Sequence, residues 1–430
     1  MTTVIDGLSC PYCGSQFQPN LAVVAAPYYV LTCECGEFPV VDGIPRLIAD
    51  ALSAAAVRCI RRADFGSALG VLLEWPSFSS AGTLVRRATR LLATRDGSAL
   101  ALGLAIKKRL IDVFQSTELT FCGLVERLDA GLWGEWLRFR FSMEPLLPLY
   151  SLRELAATEG LVLDLGCGVG HSSFLLSARL PAKRLVCMDS TFPFLYLARK
   201  YFVPEAYFVC LDASAPLPFA DAAFSRVFAC DAFHFLTGKR MLAGELARVL
   251  DPHGIVVLSH VHNRRYPSPY AGRPLEPEAY LRLFADLTAH LFRSDEIVRR
   301  LVREDMLDLS RGDSIESANT QSSFSLVAAR DASAFRRYEG IWSAAASGAG
   351  NLTVNPLYRL EEKEGRARLQ RRRLSASFAP LAQATSIDLP DMVELSAGPV
   401  ARKGASDLEA LKLAQRFLML ELPANFGQPT

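Results

Sequence analysis

No uninterrupted apolar stretch in this 430-residue chain approaches the length of a membrane span, so a bilayer-crossing helix is not expected. Nor is there an excess of charge. The 47 basic residues face 45 acidic ones, a net +2, which gives no general attraction to nucleic acid or anionic lipid. The opening residues, MTTVIDGLSCPYC, lack the basic patch and apolar core of a secretory signal, and a cytoplasmic protein is expected. In that compartment the ten cysteines read as thiols or metal ligands rather than disulfides. Internal repeats and low-complexity tracts are also missing.

What is there is apolar material, 50% of the residues, and enough length for more than one domain. Residues 1–50 are compact and hold Cys10, Cys13, Cys33 and Cys35. Residues 51–154 are rich in Ala, Leu and Arg at helical spacing, as in AGTLVRRATRLLATRDG, and read as a helical connector or lid. Residues 155–330 alternate strand-like runs with amphipathic helices, the pattern of an α/β fold with a doubly wound, mostly parallel sheet. Residues 331–430 read as an α+β extension, entered through the linker-like SAAASGAGN. In it, LYRLEEKEGRARLQRRR suggests two polar strands around a Glu364–Gly365 turn, and RFLMLELP a buried strand.

The stretch LVLDLGCGVGHSS, residues 161–173, carries the strongest signal. A dinucleotide fingerprint wants G-x-G-x-x-G. Gly166 and Gly168 fit it, but His171 falls where the third glycine belongs, and Gly170 comes one place early. Asp164 lies on the strand itself, where a carboxylate repels a pyrophosphate and suits a ligand bearing an ammonium group. The plainer reading is a doubly wound fold that uses its glycines only for a tight turn.

VLDLGCGVG resembles motif I of the class I S-adenosylmethionine-dependent methyltransferases. The likeness continues in order to SFSLVAAR, which resembles a closing strand. It implies that Asp164, Gly166, Cys167, Gly168 and Gly170 cradle S-adenosylmethionine, with the glycines admitting its methionine part. Asp189, in LVCMDS, then sits where a carboxylate holds ribose hydroxyls, with Ser190 beside it. Asp212 matches the acid that meets the adenine amino group, followed by Ala213. After the fourth strand stands CDAFHF rather than an Asn/Asp-Pro-Pro-aromatic loop, which counts against methylation of adenine N6 or a glutamine amide.

LSCPYCGSQF and LTCECGEFPVVDGIPRLI resemble the small zinc ribbon that activates tRNA and release-factor methyltransferases as a separate subunit. Two thiol pairs on short turns can supply a tetrahedral Cys₄ zinc site. The second pair is C-x-C, one residue shorter than the usual knuckle, and a metal-free miniature domain is the alternative. The other cysteines are scattered and read as core.

In open α/β sheets, ligands bind at the carboxyl ends of the strands. His234, after the fourth strand, is therefore the candidate general base or acceptor-positioning group. His260 and His262, two positions apart near the end of the fifth strand, would point the same way, either to line the acceptor pocket or to hold a second metal. Asp231 is expected to hold the histidines in place, and His171 to start a helix. Arg140, Phe141 and Tyr150 are candidate lid residues. The loop bearing Arg264, Arg265, Tyr266, Tyr270 and Arg273 is a candidate acceptor reader. The run RARLQRRR suits a charged, solvated edge strand better than an RNA contact. The leading expectation is a methyltransferase acting on a small or lipid-like acceptor. The alternatives are an RNA- or ribosome-directed methyltransferase and a non-catalytic cofactor-binding regulator. Nothing in the chain reads out an oligomeric state.

Overall fold

The computed structural model describes residues 7–19, 27–73, 108, 111–128, 131–268, 272–342, 351–363, 366–379, 387–395, 402–404 and 408–429. Outside these lie AGTLVRRATRLLATRDG, the linker-like stretch 343–350, the Glu364–Gly365 turn and Tyr270. Among the described residues no helix is long and apolar enough to cross a membrane.

The first unit is a four-stranded antiparallel sheet in chain order: β1 (Gln18–Pro19), β2 (Tyr29–Cys33), β3 (Gly36–Val41) and β4 (Ile44–Pro45). Its last hairpin explains the Asp-Gly-Ile-Pro run. Val41 pairs with Ile44, so Asp42 and Gly43 form a two-residue turn, with φ of +50° and +71°. That mirror-image turn matches the twist of the flanking strands, and Asp-Gly is among the pairs that tolerate it. Beyond β4, the Leu47 N–H donates to the Cys210 carbonyl at 2.8 Å and Arg46 forms a parallel bridge to Cys210. Buried Arg46 then forks onto Asp50 at 2.6 and 2.7 Å. Asp50 in turn caps the helix Ala51–Arg61 by accepting from the Ser53 N–H.

Cys210 ends the edge strand of the central sheet. In that sheet β5 (Leu161–Leu165), β6 (Leu185–Asp189), β7 (Tyr207–Cys210), β8 (Phe224–Cys230) and β9 (Leu250–His262) run parallel. Then β12 (Ser323–Ala329) joins β9 antiparallel, and β10 (Thr288–Arg293) joins β12, while β11 (Met306–Asp308) and β13 (Arg337–Glu339) pair apart as a two-stranded sheet. The spatial order is β10-β12-β9-β8-β5-β6-β7. Successive residues feed opposite cores. Val162, Cys187, Phe228 and Val257 face one, while Leu163, Val186, Val227 and Val256 face the other. Both faces are thus covered, as a parallel sheet requires. The order reverses between β5 and β8, which opens a crevice at their carboxyl ends. Every residue of β12 is buried, as expected for a closing strand.

The C-terminal residues form two small sheets. In one, β14 (Asn351–Val354) lies between β18 (Arg402–Gly404) and β19 (Met419–Glu421). In the other, β16 (Arg366–Arg371) lies between β15 (Tyr358–Lys363) and β17 (Met392–Leu395). This corrects the edge-strand expectation for RARLQRRR: its strand is central. Ala367 and Leu369 are buried, and Arg368 is in register with Glu361 on one side and Glu394 on the other. Its guanidinium Nε lies 2.8 Å from the Met392 sulfur. The region packs on the segment before β5. Arg153 and Glu421 pair at 3.0 Å with side chains 1% and 8% exposed, and the Ser142 hydroxyl donates to Asn355 Oδ1 at 2.7 Å.

Candidate functional site

The turn after β5 needs glycine for different reasons at each position. Gly166, Gly168 and Gly170 have φ of +70°, +55° and +97°, in the left-handed region that other residues avoid. A Cβ on Gly166 would lie 2.5 Å from the Ala232 Cβ, and one on Gly170 would lie 2.9 Å from the Ala198 Cβ. At Gly168 a Cβ would meet nothing within 4 Å. Two of the glycines thus seat the turn against the protein, and the third borders open space.

Two carboxylates flank that space. Asp164 is fully buried, and its Oδ2 accepts from the Ser172 and Ser173 hydroxyls at 2.8 and 2.6 Å. Its Oδ1 has no hydrogen-bond partner among the described residues. Burial pushes its pKa up to about 6, against the two serine hydrogen bonds. Asp189 ends β6; its Oδ2 accepts from the Gly168 N–H at 3.0 Å and its Oδ1 from the Thr191 N–H at 2.8 Å. Burial also raises the Asp189 carboxyl. The exposed Ser190 follows it. Next along the edge, the Leu211 N–H donates to the Asp189 carbonyl, followed by exposed Asp212 and buried Ala213. The Asp212 carboxylate accepts from the Ser214 N–H at 2.9 Å. Cys167 is buried, and burial raises its thiol well above the usual range. An orphaned buried carboxylate oxygen, an open glycine and carboxylates at the next two strand ends fit a ligand that carries an ammonium group and vicinal hydroxyls.

The second cluster sits at the ends of β8 and β9. Asp231 and His260 both have left-handed backbones, with φ of +52° and +51°, and the Asp231 N–H donates to the Ser259 carbonyl at 2.9 Å. Aspartate and histidine enter that region more readily than most other residues with a side chain, at a cost of about 1–2 kcal/mol each. His260 and His262 converge, as their spacing led one to expect, and His260 does so from a β-bulge: from Leu258 to Val261 the strand advances three residues while β12 advances two. The His260 and His262 rings lie 5.2 Å apart, and His234 lies 4.4 Å from His262. Asp231, His260 and His262 present ligand atoms all within 4.8 Å of one another.

Asp231 does not orient the histidines as expected. Its Oδ2 pairs with Arg140 at 3.2 Å, while its Oδ1 is 3.7 Å from His234 Nε2, too far for a hydrogen bond. Burial, with His262 and His260 adding to it, lowers His234 to about 2. The ring is therefore neutral, and the contact with Asp231 is not an ion pair. Burial likewise lowers His260 and His262, and raises Asp231 to about 6 against the pull of Arg140.

Of the lid candidates, Arg140 reaches the site. Phe141 and Tyr150 do not line it: both are buried, and the Tyr150 hydroxyl donates to the Phe141 carbonyl. His171 starts the helix His171–Ser177, buried beside Phe121, Phe141, Phe202 and Phe426, with Nε2 on the Leu137 carbonyl. From the candidate reader loop, the Arg273 N–H donates to the His234 carbonyl, Arg265 pairs with Glu276, and the Tyr266 hydroxyl donates to the Asn319 carbonyl. Arg264 is exposed. Sequence reasoning missed Ser172 and Ser173, although hydroxyls directly after a glycine turn were a visible signal. It also missed Glu144, which accepts from the Ser323 hydroxyl opposite His262 and which no local pattern marks.

The N-terminal cysteines also come together. The Sγ atoms of Cys10, Cys13, Cys33 and Cys35 lie within 4.8 Å of one another, with Cys10–Cys35 at 3.5 Å and Cys33–Cys35 at 3.4 Å. The short C-x-C spacing suffices because Cys33 pairs with Gly36 across a two-residue turn, and Cys35 sits in that turn. The Tyr12 N–H donates to Cys10 Sγ at 3.4 Å, as in a thiolate knuckle.

A seven-stranded sheet in this order, with this glycine turn at its reversal point, is the fold of the class I methyltransferases. A family model described as a methyltransferase domain matches residues 163–258, and those residues are a methyltransferase domain of that class. Among curated proteins the chain is 31% identical over 149 residues to trans-aconitate 2-methyltransferase of Paracidovorax citrulli, covering 34% of this chain and 57% of that protein. It is 29% identical over 168 residues to trans-aconitate 2-methyltransferase of Shigella flexneri, covering 36% of this chain and 66% of that protein. The chain therefore spans more than half, but under two thirds, of the length of these relatives. Among solved structures it is similar to a chain of the complex between the Haloferax volcanii Trm112 methyltransferase activator and a methyltransferase. That match has 17% identity and a TM-score of 0.33, and covers 50% of this chain and 99% of the other.

Proposed function

We propose that the chain is an S-adenosylmethionine-dependent methyltransferase acting on a small-molecule acceptor at the carboxyl ends of β5, β8 and β9. The observation that carries the reading is the turn at Gly166–Gly170, with Gly168 open and Asp164 Oδ1 unpartnered among the described residues. Asp164 would hold the ammonium group, Asp189 the ribose hydroxyls, and Asp212 the adenine edge. The bound cofactor supplies an activated methyl on a sulfonium. The protein's task is then to align an acceptor and exclude water.

Gly166 packs on Ala232, which links the cofactor turn directly to the loop of Asp231 and His234. An acceptor seated beside those residues and His260–His262 would face the turn. With its imidazole held neutral, His234 is suited to accepting a hydrogen bond from an acceptor hydroxyl or amine. The curated relatives are named for trans-aconitate, so an unsaturated carboxylic acid is the first acceptor to try. The near balance of 47 basic and 45 acidic residues favours this small-molecule reading over an RNA-directed one. We also assign a structural zinc ion to Cys10, Cys13, Cys33 and Cys35, whose thiolates would hold the hairpins of the first unit together.

The test is transfer of labelled methyl from S-adenosylmethionine to trans-aconitate, to a pool of small carboxylic acids and to total RNA. Label in the acids supports the reading, whereas label only in RNA would replace it with the RNA-directed one.

A further inference from the structure

We propose that Asp231, His260 and His262 form a site for a divalent first-row transition-metal ion, separate from the cysteine cluster. Three observations carry it. One carboxylate and two imidazoles, from the ends of adjacent parallel strands, bring ligand atoms within 4.8 Å of one another. Buried nitrogens point to a missing partner: His260 Nδ1 and both ring nitrogens of His234 have no hydrogen-bond partner among the described residues, and these side chains are 4% and 0% exposed. Leaving such groups unpaired costs stability, and an ion bound by His260 removes that cost for its ring. Finally, Asp231 and His260 are held in left-handed backbone, and His260 lies in a β-bulge. Both devices re-aim side chains at a strand end.

The charge balance allows a cation. Asp231 and Glu144 repel each other, and Glu144, half-buried near β12, accepts from the Ser323 hydroxyl opposite His262. Arg140 pairs with Asp231 Oδ2 and leaves Oδ1 on the side of His234. Two imidazoles with one carboxylate, and no thiolate, suit Mn, Fe, Co, Ni or Zn rather than calcium or magnesium. Three protein ligands leave coordination positions open. Those positions would take two oxygen atoms of a chelating acceptor, such as a carboxylate with a neighbouring hydroxyl or second carboxylate. That use rests on the methyltransferase reading; the metal site itself does not.

The test is titration of the full-length protein, as purified and without cofactor, with Co²⁺, followed by calorimetry and visible absorption. One Co²⁺ should bind per chain, with the weak bands of nitrogen and oxygen ligands and no thiolate charge-transfer band. His260→Asn keeps a residue tolerant of the left-handed backbone. His260→Asn, His262→Gln and Asp231→Asn should each weaken Co²⁺ binding at least tenfold. His253→Ala should not, since His253 is exposed beside Asp331. Thermal melting, which should stay close to wild type, separates ligand loss from misfolding, and Asp231→Asn, being isosteric, serves if a histidine variant does not fold. The proposal is overturned by absence of Co²⁺ uptake, by uptake carrying a thiolate band, or by uptake indifferent to all three substitutions. Co²⁺ uptake without S-adenosylmethionine binding would overturn only the methyltransferase reading. Cofactor binding without Co²⁺ uptake would overturn only the metal site.

Discussion

Replacing Gly166 and Gly168 separately by alanine should divide stability from cofactor binding. Both glycines have positive φ, so each alanine pays the left-handed penalty, about 1–2 kcal/mol. At Gly166 the new methyl also lands 2.5 Å from the Ala232 Cβ, in a packed position where backbone or loop must shift. Overpacking of that kind adds about 1–3 kcal/mol, so Gly166→Ala should lose about 2–5 kcal/mol in all. At Gly168 nothing lies within 4 Å, so stability should fall only by the left-handed penalty. The methyl there projects into the open space beside Asp189 and should weaken S-adenosylmethionine at least tenfold, or about 1.4 kcal/mol. Denaturant unfolding gives the first quantity and calorimetric titration the second. Equal destabilisation by the two alanines, or a Gly168→Ala protein with wild-type affinity, would refute the division of labour along this turn.

Burial raises Asp164 to about 6, so the folded protein keeps a proton that the unfolded chain releases near pH 4. Stability should therefore fall as pH rises from about 4 to about 6, by about 3 kcal/mol, and this contribution should be flat above. Asp164→Asn should remove that slope in urea titrations across pH, while cofactor affinity, which in the wild type rises over the same window, becomes weak and pH-independent. Arg153→Met strands Glu421 in the interior and should cost about 3–5 kcal/mol, whereas the Arg153→Met/Glu421→Leu pair should recover most of it, read from denaturant midpoints. Chelation should remove one zinc and raise hydrogen exchange first in residues 7–47, where so small a unit has little core of its own; unchanged exchange there after metal loss would count against a structural ion.

Much of the sheet was legible because its signals are local. An apolar run closing on Asp164, glycines at every second place and a carboxylate at Asp189 mark strand, turn and next strand within one short window. The expected class I fold and the convergence of four cysteines follow from such windows. What was not legible depends on partners distant in sequence. Nothing in RARLQRRR announces that Met392–Leu395 will return to make its strand central. The spacing of His260 and His262 announced that they would meet, but not the bulge that carries His260, which is set by pairing with β12. The link from Arg140 to Asp231 and the docking of Leu47 on Cys210 likewise arise only when separate segments meet. Phe141 and Tyr150 were lid candidates because the segment before the first strand commonly folds over the cofactor in the family the sequence resembles, but both pack in the core.

The most direct test of the central claim is calorimetric titration of the purified chain with S-adenosylmethionine and, separately, with NAD. The account predicts one S-adenosylmethionine bound per chain, lost or strongly weakened in Asp189→Ala by roughly 1.5–3 kcal/mol, and no binding of NAD. Binding of NAD without S-adenosylmethionine would contradict it.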